Sequence, residues 1–302
     1  MINFIEYFYN IRIENIENNN KFYSFVHNNY LYKLYIYDEE KNVNLIVNIN
    51  KQLLNRTLIS EIILNKDNNP ISIYNNIPYI LIKIYASNNK QITLEDISYL
   101  SNSLYTNKLN INWGKLWSKK IDYLEELINE NGKKYPLIVD SFNYFVGLAE
   151  NAISYYNNIS IPNNSYYYIS HKSIRYNDNI QEFYNPLNII FDYKVRDIAE
   201  YIKNAFFLNK KNIFNELNMY LKLNQLSEYE VQLLISRILY PSFYFELYED
   251  ILIDQKDEKI IINITKLLPE YEKYLTLIFE YFKKYYYIPT ISWLNRKEKK
   301  TN

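Results

Sequence analysis

Only three glycines occur in 302 residues, Gly114, Gly132 and Gly147, and all three fall in the middle third of the chain. Loops that wrap a dinucleotide or a triphosphate need glycine, because a residue without Cβ takes positive φ freely and lets backbone amides approach the ligand. Neither GxGxxG nor GxxxxGK[ST] can be written anywhere in this sequence, so a Rossmann site and a P-loop are excluded. Tight turns fall to asparagine: His27-Asn28-Asn29 and Asn75-Asn76 read as hairpin loops, and short Asn loops tolerate left-handed backbone.

Composition removes further classes. The absence of cysteine rules out disulfides, thiolate nucleophiles and Cys-based zinc sites. With only His27 and His171, a His-rich metal cage is excluded as well. Basic and acidic residues both number 34, which leaves no net charge for a general grip on nucleic acid. At 48% hydrophobic and 23% charged residues the chain should fold rather than stay disordered. No stretch reaches the 18 or more apolar residues of a membrane span, and Met1 to Asn10 lacks a basic-then-apolar leader, so a cytoplasmic protein is expected. Among the 35 tyrosines, Tyr166-Tyr167-Tyr168 and Tyr285-Tyr286-Tyr287 are candidate exposed clusters for a protein partner.

Patterning divides the chain into a β-rich part, 1–86, and a helical part, 87–302. Phe22 to Val26 and Tyr30 to Tyr37 read as paired strands, Val43 to Ser60 as a helix, and Ile71 to Tyr74 and Pro78 to Ala86 as two more strands. From Asn88 onward long helices are expected. Thr93 with Asp96 and Ser227 with Glu230 are capping signals. Trp113, Leu116, Trp117, Ile121, Leu124 and Ile128 form one stripe over Trp113 to Glu130, which Asn131-Gly132 ends. A second long helix spans Pro136 to Asn158. Residues 159–194 break this texture with strand-like pieces, of which Leu187 to Phe191 leads into Asp192. Helices resume at Arg196 to Phe207 and Ile213 to Leu221.

Specific residues carry a resemblance. His171-Lys172-Ser173-Ile174-Arg175, then Asn188-Ile189-Ile190-Phe191-Asp192 and Arg196-Asp197, resemble the aminoglycoside phosphotransferase and choline kinase superfamily. More narrowly, the order of these motifs, with Asn112-Trp113-Gly114-Lys115-Leu116-Trp117 and Leu239-Tyr240-Pro241-Ser242, is similar to kinase-like spore-coat proteins of the CotS and YutH type. The resemblance implies a two-lobed protein-kinase-like α+β fold, with a small β-rich N-terminal lobe and a larger helical C-terminal lobe. It also implies ATP and Mg²⁺ as cofactors, a small-molecule acceptor or a protein partner, and association with the spore of a Gram-positive bacterium.

The same resemblance assigns roles. Phosphoryl transfer needs a Lys on the phosphates, metal-holding carboxylates and an Asp beside the attacking hydroxyl. Lys33 is similar to the phosphate-contacting strand lysine, and Asp192 to the strand-end carboxylate that holds nucleotide and Mg²⁺. Asn177 is a second metal candidate. His171 opens the catalytic loop, but Ser173 stands where the superfamily has Asp, and Asp178 is the acid nearest in the loop. The helix Val43 to Ser60 holds no acidic residue to pair with Lys33, and Glu61 lies just beyond it. These departures point to a degenerate kinase acting as a binding or scaffold module. An active phosphotransferase with a rearranged loop, and a coat protein that binds no nucleotide, are the alternatives.

Overall fold

The computed structural model describes every residue except 20–21, 38–41, 87–89, 175–178, 211, 255 and 296–302, with 254 and 295 described by backbone alone. In chain order the elements begin with α1 (Ile2–Tyr9), β1 (Glu17–Asn19), β2 (Phe22–His27), β3 (Tyr30–Ile36), α2 (Val43–Leu53), β4 (Glu61–Ile63), β5 (Ser72–Tyr74) and β6 (Ile77–Ile84). There follow α3 (Leu94–Ser101), β7 (Tyr105–Thr106), α4 (Trp113–Asn131), α5 (Pro136–Asn157), β8 (Tyr167–His171), α6 (Ile180–Phe183) and β9 (Ile189–Asp192). The remainder is helical: α7 (Arg196–Phe207), α8 (Ile213–Leu223), α9 (Glu228–Leu239), α10 (Ser242–Asp254), α11 (Ile260–Lys283) and α12 (Ser292–Asn295). The chain packs as two compact units. The first is Met1–Tyr105 with Tyr168–Phe191, and the second is Thr106–Tyr167 with Asp192–Asn302.

The first unit is built on an antiparallel sheet of order β1-β2-β3-β6-β4, with β5 also paired to β6. Its hairpin turns are Asn28-Asn29 and Asn75-Asn76, both with positive φ at both positions, the geometry of the tight turn that matches strand twist. All seven positive-φ residues among those described are asparagines, and none is a glycine. Alternation along β3 sends Tyr32 and Leu34 to one face, where α1 lays Phe4, Ile5 and Tyr9. Lys33 and Tyr35 therefore belong to the opposite face, where Val43, Ile46 and Val47 of α2 pack against Ile80, Ile82 and Ile84 of β6.

Two elements depart from the pattern reading. The segment Ile2–Tyr9, rich in aromatic β-formers, is helical and ends at Asn10 in the left-handed region, whose N–H donates to the Glu6 carbonyl. The helix expected over Val43 to Ser60 stops at Leu53. Buried Asn50 is the cause: its Nδ2 donates to the Ser60 carbonyl and its Oδ1 accepts from the Ile62 N–H, drawing the following chain into β4.

In the second unit α4 buries Trp113, Trp117, Ile121 and Leu124 as the stripe predicts, whereas Leu116 is exposed. On α5, Phe142, Phe145, Leu148, Ala149 and Ala152 are buried. A Cβ on Gly114 would lie 3.1 Å from Cδ1 of buried Tyr156 and 2.6 Å from Oδ1 at the end of the exposed Asn157 side chain, so α4 and α5 approach closely there. Gly132 caps α4 with right-handed φ of −56° and leads into a 3₁₀ turn. Helix α9 is buried from Leu233 to Leu239 without interruption, as befits a central helix. Both capping boxes form. The Asp96 N–H donates to Thr93 Oγ1 at 3.2 Å, and the Ser227 N–H donates to Glu230 Oε2 at 2.8 Å. Of the tyrosine clusters, Tyr166, Tyr285 and Tyr287 are exposed and Tyr167 is buried. Among the described residues no helix is long and apolar enough to cross a membrane.

Candidate functional site

The residues singled out from the sequence fall into two constellations, one in each unit. In the first, Lys33 is buried, not solvent-facing, and its Nζ donates to Glu182 Oε1 at 2.7 Å. The same oxygen accepts from Tyr35 Oη at 3.0 Å, and Glu182 Oε2 accepts from Asn185 Nδ2 at 3.2 Å. Phe22 supplies a ring face 4.5 Å from the ammonium. Burial alone would push the Glu182 carboxyl up, but the Lys33 ammonium with the Asn185 and Tyr35 donors overcomes it and holds the group below the usual carboxylate value. Burial and the adjacent carboxylate raise the Tyr35 phenol, which stays a donor.

Glu182 was not legible as the partner of Lys33. Its one local signal is Asn179, whose Oδ1 accepts the Glu182 N–H and caps α6. Glu61, the acid nearest the helix, instead accepts the Tyr85 hydroxyl.

His171 is buried on β8, its ring stacked on Phe183 at 4.3 Å, with Nε2 2.7 Å from the Phe183 carbonyl. A carbonyl only accepts, so that nitrogen carries the proton. The Ser173 hydroxyl is buried and has no hydrogen-bond partner among the described residues. Asp178 and Asn177 lie outside the described residues.

In the second unit Asp192 is 3% exposed. Its Oδ1 accepts from Trp113 Nε1 at 2.9 Å and from the Tyr193 N–H at 2.7 Å, and its Oδ2 accepts from Arg196 Nη1 at 2.5 Å. Behind it lies a second buried set, on α7 and the helices that follow. Lys203 Nζ donates to Glu200 at 3.0 Å, to Ser242 Oγ at 2.6 Å and to the Tyr240 carbonyl at 3.1 Å. Arg237 Nε stands 2.9 Å from Glu200 Oε1, off the line of a hydrogen bond, with its guanidinium over the Trp113 ring. Burial works against the Glu200 charge, but Lys203 and Arg237 overcome it and hold the carboxyl at about 2; burial brings Lys203 down to about 8. Asp197, in the first turn of α7, is buried too. No group of three or more His, Asp or Glu side chains that could hold a metal occurs among the described residues.

Residues 2–280 match the family described as "Spore coat putative kinase YutH". Among curated proteins, "Endospore coat-associated protein YutH" of Bacillus subtilis (strain 168) is 28% identical over 209 residues. That alignment spans 61% of this chain and 61% of the relative's length. Among solved structures, an aminoglycoside phosphotransferase from Alicyclobacillus acidocaldarius superposes with a TM-score of 0.63 at 9% identity, covering 90% of this chain and 92% of that one. Spectinomycin phosphotransferase APH(9)-Ia, in its AMP-bound complex, gives 0.57 at 14% identity over 92% and 93%. Its complex with ADP and spectinomycin gives 0.56. At such identities the likeness is one of fold: an α+β, aminoglycoside-phosphotransferase-like kinase fold, with an antiparallel sheet first and a mostly helical part after it.

Proposed function

The chain belongs to the Spore coat putative kinase YutH family, and on that footing we propose that it is a spore-coat kinase-like module that binds nucleotide and has lost phosphotransfer. Ser173 carries this reading. It stands two residues after His171, where the resemblance implies a carboxylate beside the attacking hydroxyl. A serine hydroxyl is protonated at neutral pH and takes no proton from an alcohol; losing such a base costs about 10²–10⁴-fold in rate. Spore-coat association rests on the name of the Bacillus subtilis relative.

The residues present differ in how they suit the two expected cofactors. Lys33, a buried cation beside Tyr35 and Asn185, suits a phosphoryl oxygen. Asp192 does not suit Mg²⁺ as it is held, because both oxygens accept N–H donors and a guanidinium already neutralises it. Nucleotide binding through Lys33 should therefore not require Mg²⁺.

Thermal unfolding with ATP, with and without Mg²⁺, tests this, beside phosphate release in the presence of amino alcohols and sugars. A ligand at 100 times its Kd stabilises by about 2.7 kcal/mol. The expected result is stabilisation by ATP in both conditions, its loss in Lys33→Ala, and no turnover. Acceptor-dependent turnover that disappears in Asp192→Asn would overturn the reading, and an absent ATP effect would favour a nucleotide-free coat protein.

A further inference from the structure

In the first unit three donors from separate positions converge on one anionic group, and that group belongs to the protein. Lys33 Nζ and Tyr35 Oη, two residues apart on one face of β3, and Asn185 Nδ2, just beyond α6, all donate to the Glu182 carboxylate at 2.7–3.2 Å. A cation, a phenol and an amide around paired anionic oxygens make a site that recognises an oxyanion, and a phosphoryl group presents the same kind of oxygens as a carboxylate.

We propose that Lys33, Tyr35 and Asn185 form a phosphoryl-oxyanion cradle, and that the Glu182 carboxylate is an internal pseudo-ligand which fills it and must withdraw before an outside anion binds. The inference rests on the reading of Lys33 as the phosphate-side cation and adds its regulation.

Two observations favour a displaceable carboxylate over a fixed strut. The Lys33 side chain is 7% exposed and that of Glu182 28%, so the carboxylate is the outer partner. Glu182 also rides on α6, a helix of four residues held at its start by Asn179. Its other residues, Ile180, Gln181 and Phe183, are buried, so α6 stays anchored and only the Glu182 side chain, the one partly exposed on this turn, has to swing outward to uncover Lys33. While Glu182 stays, its charge neutralises Lys33 and repels an incoming phosphate; without it, the three donors are free for one.

The test measures pyrophosphate and ATP binding by calorimetry on wild type, Glu182→Gln, Glu182→Ala and the double variant Lys33→Ala with Glu182→Ala. Pyrophosphate should bind both single variants about tenfold or more tightly than wild type, the scale of removing one like charge from a partly buried site. It should also raise the melting temperature of Glu182→Ala, whose Lys33 has lost its counter-ion, and do nothing to the double variant. Equal or weaker pyrophosphate binding by both single variants overturns the proposal. Glu182→Gln keeps the side-chain volume and carries the test if the alanine variant does not fold. Failure of both to fold would show a structural strut and overturn it too. Pyrophosphate binding without ATP binding would leave the cradle standing and remove the nucleotide reading.

Discussion

Lys33 and Glu182 are 149 residues apart in the chain, yet Nζ and Oε1 meet at 2.7 Å and tie strand β3 to helix α6. Removing one partner of a fully buried pair costs about 3–5 kcal/mol, because the other charge is left unpaired. Glu182 keeps some exposure, so Lys33→Met alone should cost less, about 1–3 kcal/mol. Adding Glu182→Gln should recover part of that loss. Denaturant unfolding of the four-protein cycle reads the coupling, and additive effects would show that the pair adds nothing to stability.

Asp192 anchors the second unit through Trp113, Tyr193 and Arg196. Asp192→Ala should lower stability by about 3 kcal/mol, since Arg196 loses one of its counter-charges and the buried Trp113 indole loses its acceptor. Asp192→Asn, which keeps an acceptor for the indole, should cost less. Equal stability for Asp192→Ala and wild type would mean that this network is not the anchor described.

The glycines separate two physical reasons for the same residue. At Gly114 an added methyl meets buried Tyr156 at 3.1 Å, while the exposed Asn157 side chain can swing aside, so Gly114→Ala should destabilise by about 1 kcal/mol at most, the Tyr156 contact outweighing the helix gain. At Gly147, in the middle of α5, nothing lies within 4 Å of a new Cβ, and Gly147→Ala should stabilise by about 0.5–1 kcal/mol. Melting temperatures that shift in the same direction for both would refute this distinction.

Two groups of side chains set the pH limits. Glu200 titrates at about 2 in the fold against an ordinary 4.5, so its contribution is present above 4.5 and is lost as pH falls from 4.5 towards 2. Lys203 acts in the same direction higher up, at about 8 against 10.5, its neutral form being favoured by burial. At the alkaline end, burial pushes Tyr9, Tyr184, Tyr244 and Tyr281 up to about 12. A phenol whose folded pKa is raised contributes stability below 10 that is lost as pH rises from 10 to 12. Circular dichroism should show cooperative unfolding near both ends, with the part of the tyrosinate absorbance that belongs to the buried phenols appearing together with the alkaline transition. The full tyrosinate absorbance of all the phenols appearing in a protein that is still folded would contradict the alkaline assignment.

Local chemistry was legible where the interacting groups are near neighbours in the chain. The two Asn-Asn turns, the Thr93 and Ser227 boxes and helix α7 are i to i+2, i+3 or i+4 relationships. The order of motifs around His171 and Asp192 was enough to place the chain in its fold and family. The early stop of α2 was hidden because Asn50 acts on residues 10 and 12 positions ahead. Helix α1 was hidden because its aromatic residues also suit a strand, and its place against Tyr32 and Leu34 decided the matter.

The amino-acid sequence alone settled what cannot be built here, with three glycines excluding the GxGxxG and P-loop motifs, and it marked most helices and turns. Tertiary structure alone decided which charges meet. A buried ammonium takes whichever carboxylate folding brings within reach, and no spacing rule links Lys33 to Glu182 or Trp113 to Asp192. Such pairs form because an unpaired charge or indole N–H is costly away from water, a condition that exists only once the core has closed around them.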